Sequence, residues 1–541
     1  MHLEYNPVTD AFWLAVNRGE ADVPLLMALH GLDLSTSATT ASQAILFTTN
    51  PFCAASFVDC ATPEARSKLG WVVREVERSH ALSSDRHIDV PADKELWPYQ
   101  IASLDYALNR RNTLIADEPG LGKTMQAIAF ANEIQAERVL IICPASIRLQ
   151  WLKKINEWST MERHAPFSYV VTKSRNGVGA SAAWTIVSYE LARSPGILAA
   201  LLKQRFDLLV IDEAHFAKSG GAARSRAIWG HYDHSSEGLI HRADRVLALS
   251  GTPLPNRAAE VFHIARGLAW DSIDWLSQDK FEQRFNPREM GTTDEGKRYV
   301  REEEGRLPEL QNRLRSHFMV RHLKKNVLTQ LKMPVYDLIQ VEETQAIKQA
   351  LAHERFLDID PDSLTGADVE FIGQYPTVRR EMGEAIAPKV AEYIDMLIHS
   401  GESKLVLFGW HISTLDILQA ALDKHGLVRV DGRDSARGKD HKIQQFITDP
   451  AIKIILGNTL TLGTGVDGLQ DVAWHVLVAE PDIVPGNNVQ MVDRLHRGGQ
   501  KGQVQADLFV APGSILERIL ARALCKGLKI EKALDRPHDP W

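Results

Sequence analysis

Four cysteines in 541 residues are too few to staple a chain of this length. Cys53, Cys60, Cys143 and Cys525 form no CxxC pair and no metal-ligand spacing with histidine, so neither a disulfide framework nor a zinc site is expected, and the thiols read as reduced and buried. Long apolar runs are missing as well. No uninterrupted stretch approaches the ~20 residues that span a bilayer, and the opening "MHLEYNPVTDAFWLAVNRGE" has no basic region followed by an apolar core, so a cytoplasmic protein without membrane contact is expected. Nor is there an excess of positive charge. Lys+Arg minus Asp+Glu is 62 − 69 = −7, which argues against a surface coated in nucleic acid and leaves room for a local basic groove.

What is present is ample apolar content, 44% of residues, arranged in short runs. From Thr113 onward "NTLIAD", "RVLIICP", "WTIVSY", "FDLLVIDEAH" and "RVLALSGTP" alternate with helix-length mixed segments such as "TMQAIAFANEIQAE". Short runs of Val, Ile and Leu separated by helices predict a parallel sheet covered on both faces. A second series, "KLVLFGW", "LVRVDGR", "KIILGN", "AWHVLVAE" and "ADLFVAPG", predicts a second α/β domain of similar build. The charged region from about Val341 to Ser403 reads as a helical connector. Residues 1 to about 90 suggest a strand, a turn at Asn50-Pro51 and amphipathic helices, hence a small α/β or α+β module. The expected division is an accessory module over 1–90, a first lobe over 91–335, a connector over 336–395 and a second lobe over 396–541.

The stretch "IADEPGLGKT", residues 115–124, almost spells the phosphate loop G-x-x-x-x-G-K-[ST], yet Asp117 stands where the first glycine belongs, with Glu118 beside it. It lies where an expected strand gives way to an expected helix, the setting in which backbone N–H groups curl around phosphate oxygens. Gly120 and Gly122 allow close approach, Lys123 is placed to reach the β- and γ-phosphates, and the Thr124 hydroxyl to hold Mg²⁺. About 90 residues downstream, "FDLLVIDEAH" is an apolar strand ending in Asp212-Glu213. Asp212 is the candidate metal ligand, and Glu213 the candidate base for the attacking water. In "QMVDRLHRGGQ", Arg494 and Arg497 are three apart and share one helix face, as arginines that offset charge on a transferring phosphoryl group need to do.

From Trp97 to Gln500 these motifs resemble, in order and approximate spacing, those of the Swi/Snf-type ATPases of helicase superfamily 2. "WPYQ" resembles the Q motif, "DEPGLGKT" motif I, "LIICPASIRLQW" motif Ia and "VSYE" motif Ib. "DEAH" matches motif II, while "LSGTPLPNR" resembles motif III, "KLVLFGWHISTLDIL" motif IV, "GNTLTLGTGVDGLQ" motif V and "QMVDRLHRGGQ" motif VI. In that family the phosphate loop begins Asp-Glu, so Asp117 follows the family pattern, whereas Pro119 replaces the usual methionine and removes one N–H. "DEAHFAKSGGAARSRAIWG" and "LVAEPDIVPGNNVQMVDRLHRGGQ" look most like the annealing-helicase branch and its small phage and bacterial relatives.

The resemblance implies two tandem RecA-like doubly wound lobes and a DNA-dependent ATPase motor that uses ATP and Mg²⁺. A strand-separating helicase and a nucleotide-gated DNA-binding module without hydrolysis are the alternatives. It implies that Asp117, Glu118, Pro119, Gly120, Leu121, Gly122, Lys123 and Thr124 bind nucleotide, that Gln100 reads the adenine edge, and that Gly465 and Asp467 approach from the second lobe. Ser250, Gly251 and Thr252 would couple the nucleotide to lobe movement. The basic run "NRLRSHFMVRHLKKNVLTQLK", residues 312–332, has six Lys/Arg and no acid; it resembles the family's segment that braces the lobes, and otherwise reads as a basic helix that is either solvated or DNA-facing. With no targeting signal, a bacterial or phage-encoded chain is expected.

Overall fold

The computed structural model describes the chain except residues 31, 56, 162–166, 173–177, 180, 232–235, 255–256, 274–275, 293–297, 303–306, 357–374, 403, 463–465 and 535–541. Its first large unit is a seven-stranded sheet. In spatial order the strands are Met319–Val320, Asn112–Ile115, Ala243–Leu249, Phe206–Asp212, Val139–Cys143, Trp184–Ser188 and Ser168–Val170, and every pairing is parallel. Alternate residues of these strands enter two separate cores. Leu114, Leu140, Ile142, Leu209, Ile211 and Ala248 pack on one face, and Ile115, Ile141, Leu208, Val210, Leu247 and Leu249 on the other. Two buried faces are what unbroken Val/Ile/Leu runs require, and helices cover both.

The second unit is a six-stranded parallel sheet in the order Val335–Gln340, Gln505–Val510, His475–Val478, Leu405–Gly409, Ile454–Asn458 and Leu427–Val430. Its first strand lies inside the stretch read from sequence as the start of a connector. It pairs residue for residue from Val335 with Gln505 to Gln340 with Val510, and the 25-residue helix Tyr375–His399 packs its Val378, Met382, Ile386, Val390 and Ile394 into the second core. Together the two units are the paired α/β lobes that the motif order implies.

The N-terminal module is α+β. Strands His2–Asn6, Ala11–Asn17, Gln43–Thr48 and Asp33–Leu34 form an antiparallel sheet, against which the helix Pro63–His80 packs. That helix starts where its chemistry dictates, with Thr62 accepting a hydrogen bond from Ala65 N and Pro63 in the first turn. Cys143 is buried, but Cys53 and Cys60 are partly exposed, contrary to the expectation of uniformly buried thiols; the Cys525 side chain lies outside those described. Among the described residues no helix is long and apolar enough to cross a membrane.

Candidate nucleotide site between the lobes

Parallel strands in register deliver their carboxyl ends to one edge. Leu249 pairs with both Ile115 and Asp212, so the turns that follow all three strands converge there, at the place where open α/β sheets bind ligands. The loop after Ile115 leads into the helix Lys123–Glu133, whose N-cap, Gly122, has φ 82° in the left-handed region that glycine adopts freely. A helix start leaves its first N–H groups without intrahelical acceptors and carries a partial positive charge, so this end favours an anion. The Lys123 ammonium donates to the loop carbonyls of Asp117 (2.6 Å) and Glu118 (3.2 Å). Burial lowers the Lys123 pKa, against the nearby charges of Glu213, Asp117 and Asp212.

The two carboxylates at the head of the loop face away from it. Asp117 is fully buried and accepts from the His322 backbone N–H and from Gln126 Nε2, with His322 Nδ1 2.9 Å away. Burial opposes its ionisation most strongly, but His322, Gln126 and Lys123 together hold the carboxyl below its ordinary range. Glu118 accepts from Lys324 N at 2.5 Å. Asp117 and Glu118 therefore anchor the loop to the segment 321–324. Pro119 lies against Gly251, where an added Cβ would come within 2.6 Å of its ring. Gln100, buried, has both ends of its amide engaged: Nε2 donates to Leu121 O at 3.0 Å, and Oε1 accepts from Trp97 N at 2.9 Å. In this arrangement it braces the loop.

Asp212 ends its strand buried, and Trp151 Nε1 donates to its Oδ2 at 2.8 Å. Burial, with Glu213 adjacent, pushes the Asp212 carboxyl up to about 7, and burial raises Glu213 as well, against Lys123 and Arg494. Glu213 has φ 53°, a left-handed conformation uncommon for a residue with a side chain, and its Oε2 is buried without a hydrogen-bond partner among the described residues. The nearest recorded group is His215 Nδ1 at 3.4 Å, and burial drives the His215 pKa down to about 3, so that ring is neutral. Tyr189 OH holds the strained turn by donating to the carbonyls of Asp212 (2.7 Å) and Glu213 (3.2 Å).

Ser250, Gly251 and Thr252 each touch a different motif. Ser250 Oγ lies 3.1 Å from His215 Nδ1, Gly251 packs on Pro119, and Thr252 Oγ1 accepts from Gln490 Nε2 of the second lobe at 3.2 Å. The helix Pro485–Val492 stops short of Arg494 and Arg497, so they lie in the turns beyond it and not on one helix face as the spacing predicts; Arg494 donates to Val466 O (3.1 Å) in its own lobe, and Arg497 reaches the loop. Arg497 seats its Cβ over Gly120, 2.7 Å from where a Cβ on that glycine would stand. Its guanidinium donates to Val466 O and to Asp467 Oδ1, both at 3.2 Å. Arg494 is buried; burial, with the like charge of Arg497, lowers its pKa to about 9, and Glu213 opposes that shift from the other lobe. Thr124 is partly buried at the helix start. Gly465 lies outside the described residues.

The basic run 312–332 is mostly interior. Arg313, Arg315, Arg321, His322 and Lys324 are buried, whereas Lys325 and Lys332 are exposed. This favours the brace over the DNA-facing reading. The absence of acids in the run has a simple reason: its partners come from elsewhere. Arg313 pairs with Glu309 and Asp10, and Lys324 Nζ reaches Asp493 Oδ1 (2.5 Å) and His496 O (2.6 Å) in the second lobe. Trp151, Tyr189, Gln126, Arg321, His322 and Lys324 all support the site without standing out in the sequence. Trp151, in "LIICPASIRLQW", and Tyr189, in "VSYE", fall within motifs, and Arg321, His322 and Lys324 within the basic run 312–332, but no motif reading gave any of them this role.

An Mg²⁺–nucleotide fits these groups. No cluster of three or more His, Cys, Asp or Glu side chains among the described residues could cage a metal, and nucleotide-bound Mg²⁺ needs only one or two protein oxygens beside phosphates and water. Asp212 and Thr124 offer a carboxylate and a hydroxyl, and Glu213 Oε2, without a hydrogen-bond partner among the described residues, has lone pairs to spare.

A family model described as SNF2-related domain matches residues 67–364. The chain is 29% identical over 446 residues to the protein named DNA annealing helicase and endonuclease ZRANB3 of Bos taurus, a match covering 80% of this chain and 40% of that one. It is 28% identical over 453 residues to the SWI/SNF-related matrix-associated actin-dependent regulator of chromatin subfamily A-like protein 1 of Xenopus tropicalis, covering 79% and 44%. Among solved structures, the Sulfolobus solfataricus SWI2/SNF2 ATPase core in complex with dsDNA matches 84% of this chain and 99% of its own, with 19% identity and a TM-score of 0.38. The chain spans less than half the length of these two curated relatives. Since the family model covers more than half of its residues, the chain belongs to the SNF2-related family of helicase-like ATPases.

Proposed function

We propose that this chain is a DNA-dependent ATPase that moves along DNA by opening and closing its two lobes, in annealing, remodelling or repair. The observation that carries the reading is the juxtaposition of Arg494 and Arg497 from one lobe with Glu213 and the Lys123 loop from the other. Family membership and the relatives' names, one of them a DNA annealing helicase, point to the same activity.

The residues divide the work. Lys123 leaves the carbonyls of Asp117 and Glu118 to meet phosphate oxygens, while the helix N–H groups cradle them. Asp212 and Thr124 would hold Mg²⁺, which supplies positive charge between the phosphates. Ionised Glu213 orients a water for in-line attack and takes its proton. Arg494 and Arg497 offset charge developing on the transferred group, an effect worth ~10³ to 10⁵ in rate for one such arginine. Because those arginines reach the site only when the lobes meet, hydrolysis is tied to closure, and the strip Ser250–Gly251–Thr252, in contact with His215, Pro119 and Gln490, conveys the change between motifs. Residues 1–90 are assigned to engaging the DNA substrate, with backbone contacts and little sequence preference.

Steady-state ATP hydrolysis by wild type and Glu213→Gln tests this, without nucleic acid and with single-stranded, duplex and forked DNA and single-stranded RNA. Stimulation of wild type by a DNA form is expected. The variant should still bind ATP but turn over at least about 100-fold more slowly. Indifference of wild type to every nucleic acid, or full turnover by the variant, would refute the reading.

A further inference from the structure

One imidazole bridges the phosphate loop and the N-terminal module. Just past the Pro63–His80 helix, the carbonyl of Ala81 lies 2.9 Å from His322 Nε2, and on the other side of the ring Nδ1 lies 2.9 Å from Asp117 Oδ1. Both ring nitrogens face acceptor oxygens, so the geometry is satisfied when the ring donates in both directions. Asp117 is then held by Gln126 Nε2 at 2.8 Å, which also reaches Leu121 O at 3.4 Å, and by Ser103 Oγ at 3.4 Å, so a shift of the ring is felt on both sides of the loop.

A parallel path starts one turn earlier on the same helix end. Arg315 Nη1 donates to Ser79 O (3.2 Å), Ser79 Oγ (3.0 Å) and Arg321 O (3.4 Å), and Arg321 Nη1 donates to Ala116 O (2.5 Å) and Gly251 O (3.3 Å). Two separate chains of contacts thus run from residues 79–81 to the loop and to Gly251. A buried imidazole needs a polar partner at each nitrogen wherever it sits; what sets this one apart is where the two partners lie. Here one partner belongs to the accessory module and the other to the loop that carries Lys123.

We propose that His322 is a positioning residue that transmits the seating of the N-terminal module on the first lobe to the phosphate loop, so that DNA engagement by the module sets the rate of hydrolysis. This rests on the motor reading above and adds a route of regulation to it. Two substitutions in the full chain separate the ends of the ring. His322→Asn keeps a donor at the Nδ1 position against Asp117 and loses the reach to Ala81; His322→Gln does the opposite.

Steady-state hydrolysis with and without duplex DNA, at varied ATP, is measured together with thermal unfolding. His322→Gln is expected to raise KM for ATP about tenfold or more, since a small misplacement of a binding loop is costly. His322→Asn is expected to keep KM within about twofold of wild type while the factor by which DNA raises kcat falls about tenfold. His322→Asn with wild-type KM and wild-type DNA stimulation would overturn the proposal. So would equal losses in both variants and both parameters that track a lowered Tm, the behaviour of a purely structural side chain. If wild type itself ignores DNA, the motor reading fails, and the KM split between the two variants still decides whether the ring positions the loop.

Discussion

Gly120 answers two demands at once. Its φ of 89° places it where side chains are strained, and Arg497 of the second lobe occupies the space a Cβ would need. An alanine here meets a backbone penalty of about 1 kcal/mol and must also push Arg497 Cβ away from a 2.7 Å approach. Gly120→Ala should therefore hold the lobes apart, lowering kcat/KM for ATP about 10- to 100-fold. Pairing it with Arg497→Gly identifies the cause. If the collision matters, the double variant loses less than the sum of the two single losses, whereas strict additivity would mean that the two residues do not interact. Glu213 is another residue with a positive φ, and there the strain is held by hydrogen bonds from Tyr189 OH beside a carboxylate whose Oε2 has no hydrogen-bond partner among the described residues.

Elements differ in how openly the sequence announces them. "FDLLVIDEAH" and "KLVLFGW" declare buried parallel strands because each holds an unbroken apolar run, Leu208–Ile211 and Leu405–Phe408, and a strand covered on both faces tolerates little else. The edge strand Val335–Gln340, "VYDLIQ", is invisible to that criterion: it is exposed at nearly every residue and pairs on one side alone. The N-terminal strands His2–Asn6 and Ala11–Asn17 escape notice because the first keeps a single buried residue and the hairpin they form is short. At the site, Lys123, Asp212 and Glu213 are legible because they stand at strand ends beside glycine or motif punctuation. The roles of His322, Lys324 and Trp151 are not, because their partners lie far away in sequence and nothing local marks which residue of a motif or basic run turns inward.

Lys439 shows what such a buried cation does to stability. The helix Ala436–Thr448, capped by Ser435, carries its ammonium inward to Thr461 O, and burial, with Arg494 close by, lowers the Lys439 pKa to about 8. In the unfolded chain the group titrates near 10.5, so between about pH 8 and 10.5 the unfolded state binds the extra proton and stability rises with pH. Below that window both states are charged and the penalty, on the order of 3 kcal/mol at most, is present in full. Relative to Lys439→Met, wild-type Tm is expected to climb as pH goes from 7.5 to 10; a constant difference across that range would show that the buried charge has no such effect.

At the scale of the whole molecule, the helix Leu307–His317 is the common seat of all three units. Glu309 on it receives Arg284 and Thr49, Asn312 donates to Asn50 Oδ1 at 2.9 Å, and Arg313 reaches Asp10, so the N-terminal module is fixed to the first lobe by polar contacts as well as by packing. From the other side the C-terminal helix Ile515–Leu534 brings Leu534 into the first lobe's core and presents its carbonyl to Arg315 Nη2 and Gln311 Nε2, both at 3.1 Å. Arg315 is thus a buried guanidinium whose recorded acceptors are Ser79 in the module, Arg321 in the first lobe and Leu534 at the end of the second. Arg315→Met keeps much of the volume and removes every donor: the Ser79 and Arg321 carbonyls lose its hydrogen bonds, at about 1–3 kcal/mol for each buried carbonyl left unpaired, and Leu534 O is left to Gln311. Because those carbonyls belong to different units, the loss falls on their mutual attachment more than on any single core. Calorimetry should show the variant unfolding in separate transitions, the N-terminal module released at lower temperature than the lobes, where wild type melts with them joined. A single transition at the wild-type temperature would mean that packing alone holds the three units together and that Arg315 is incidental to it.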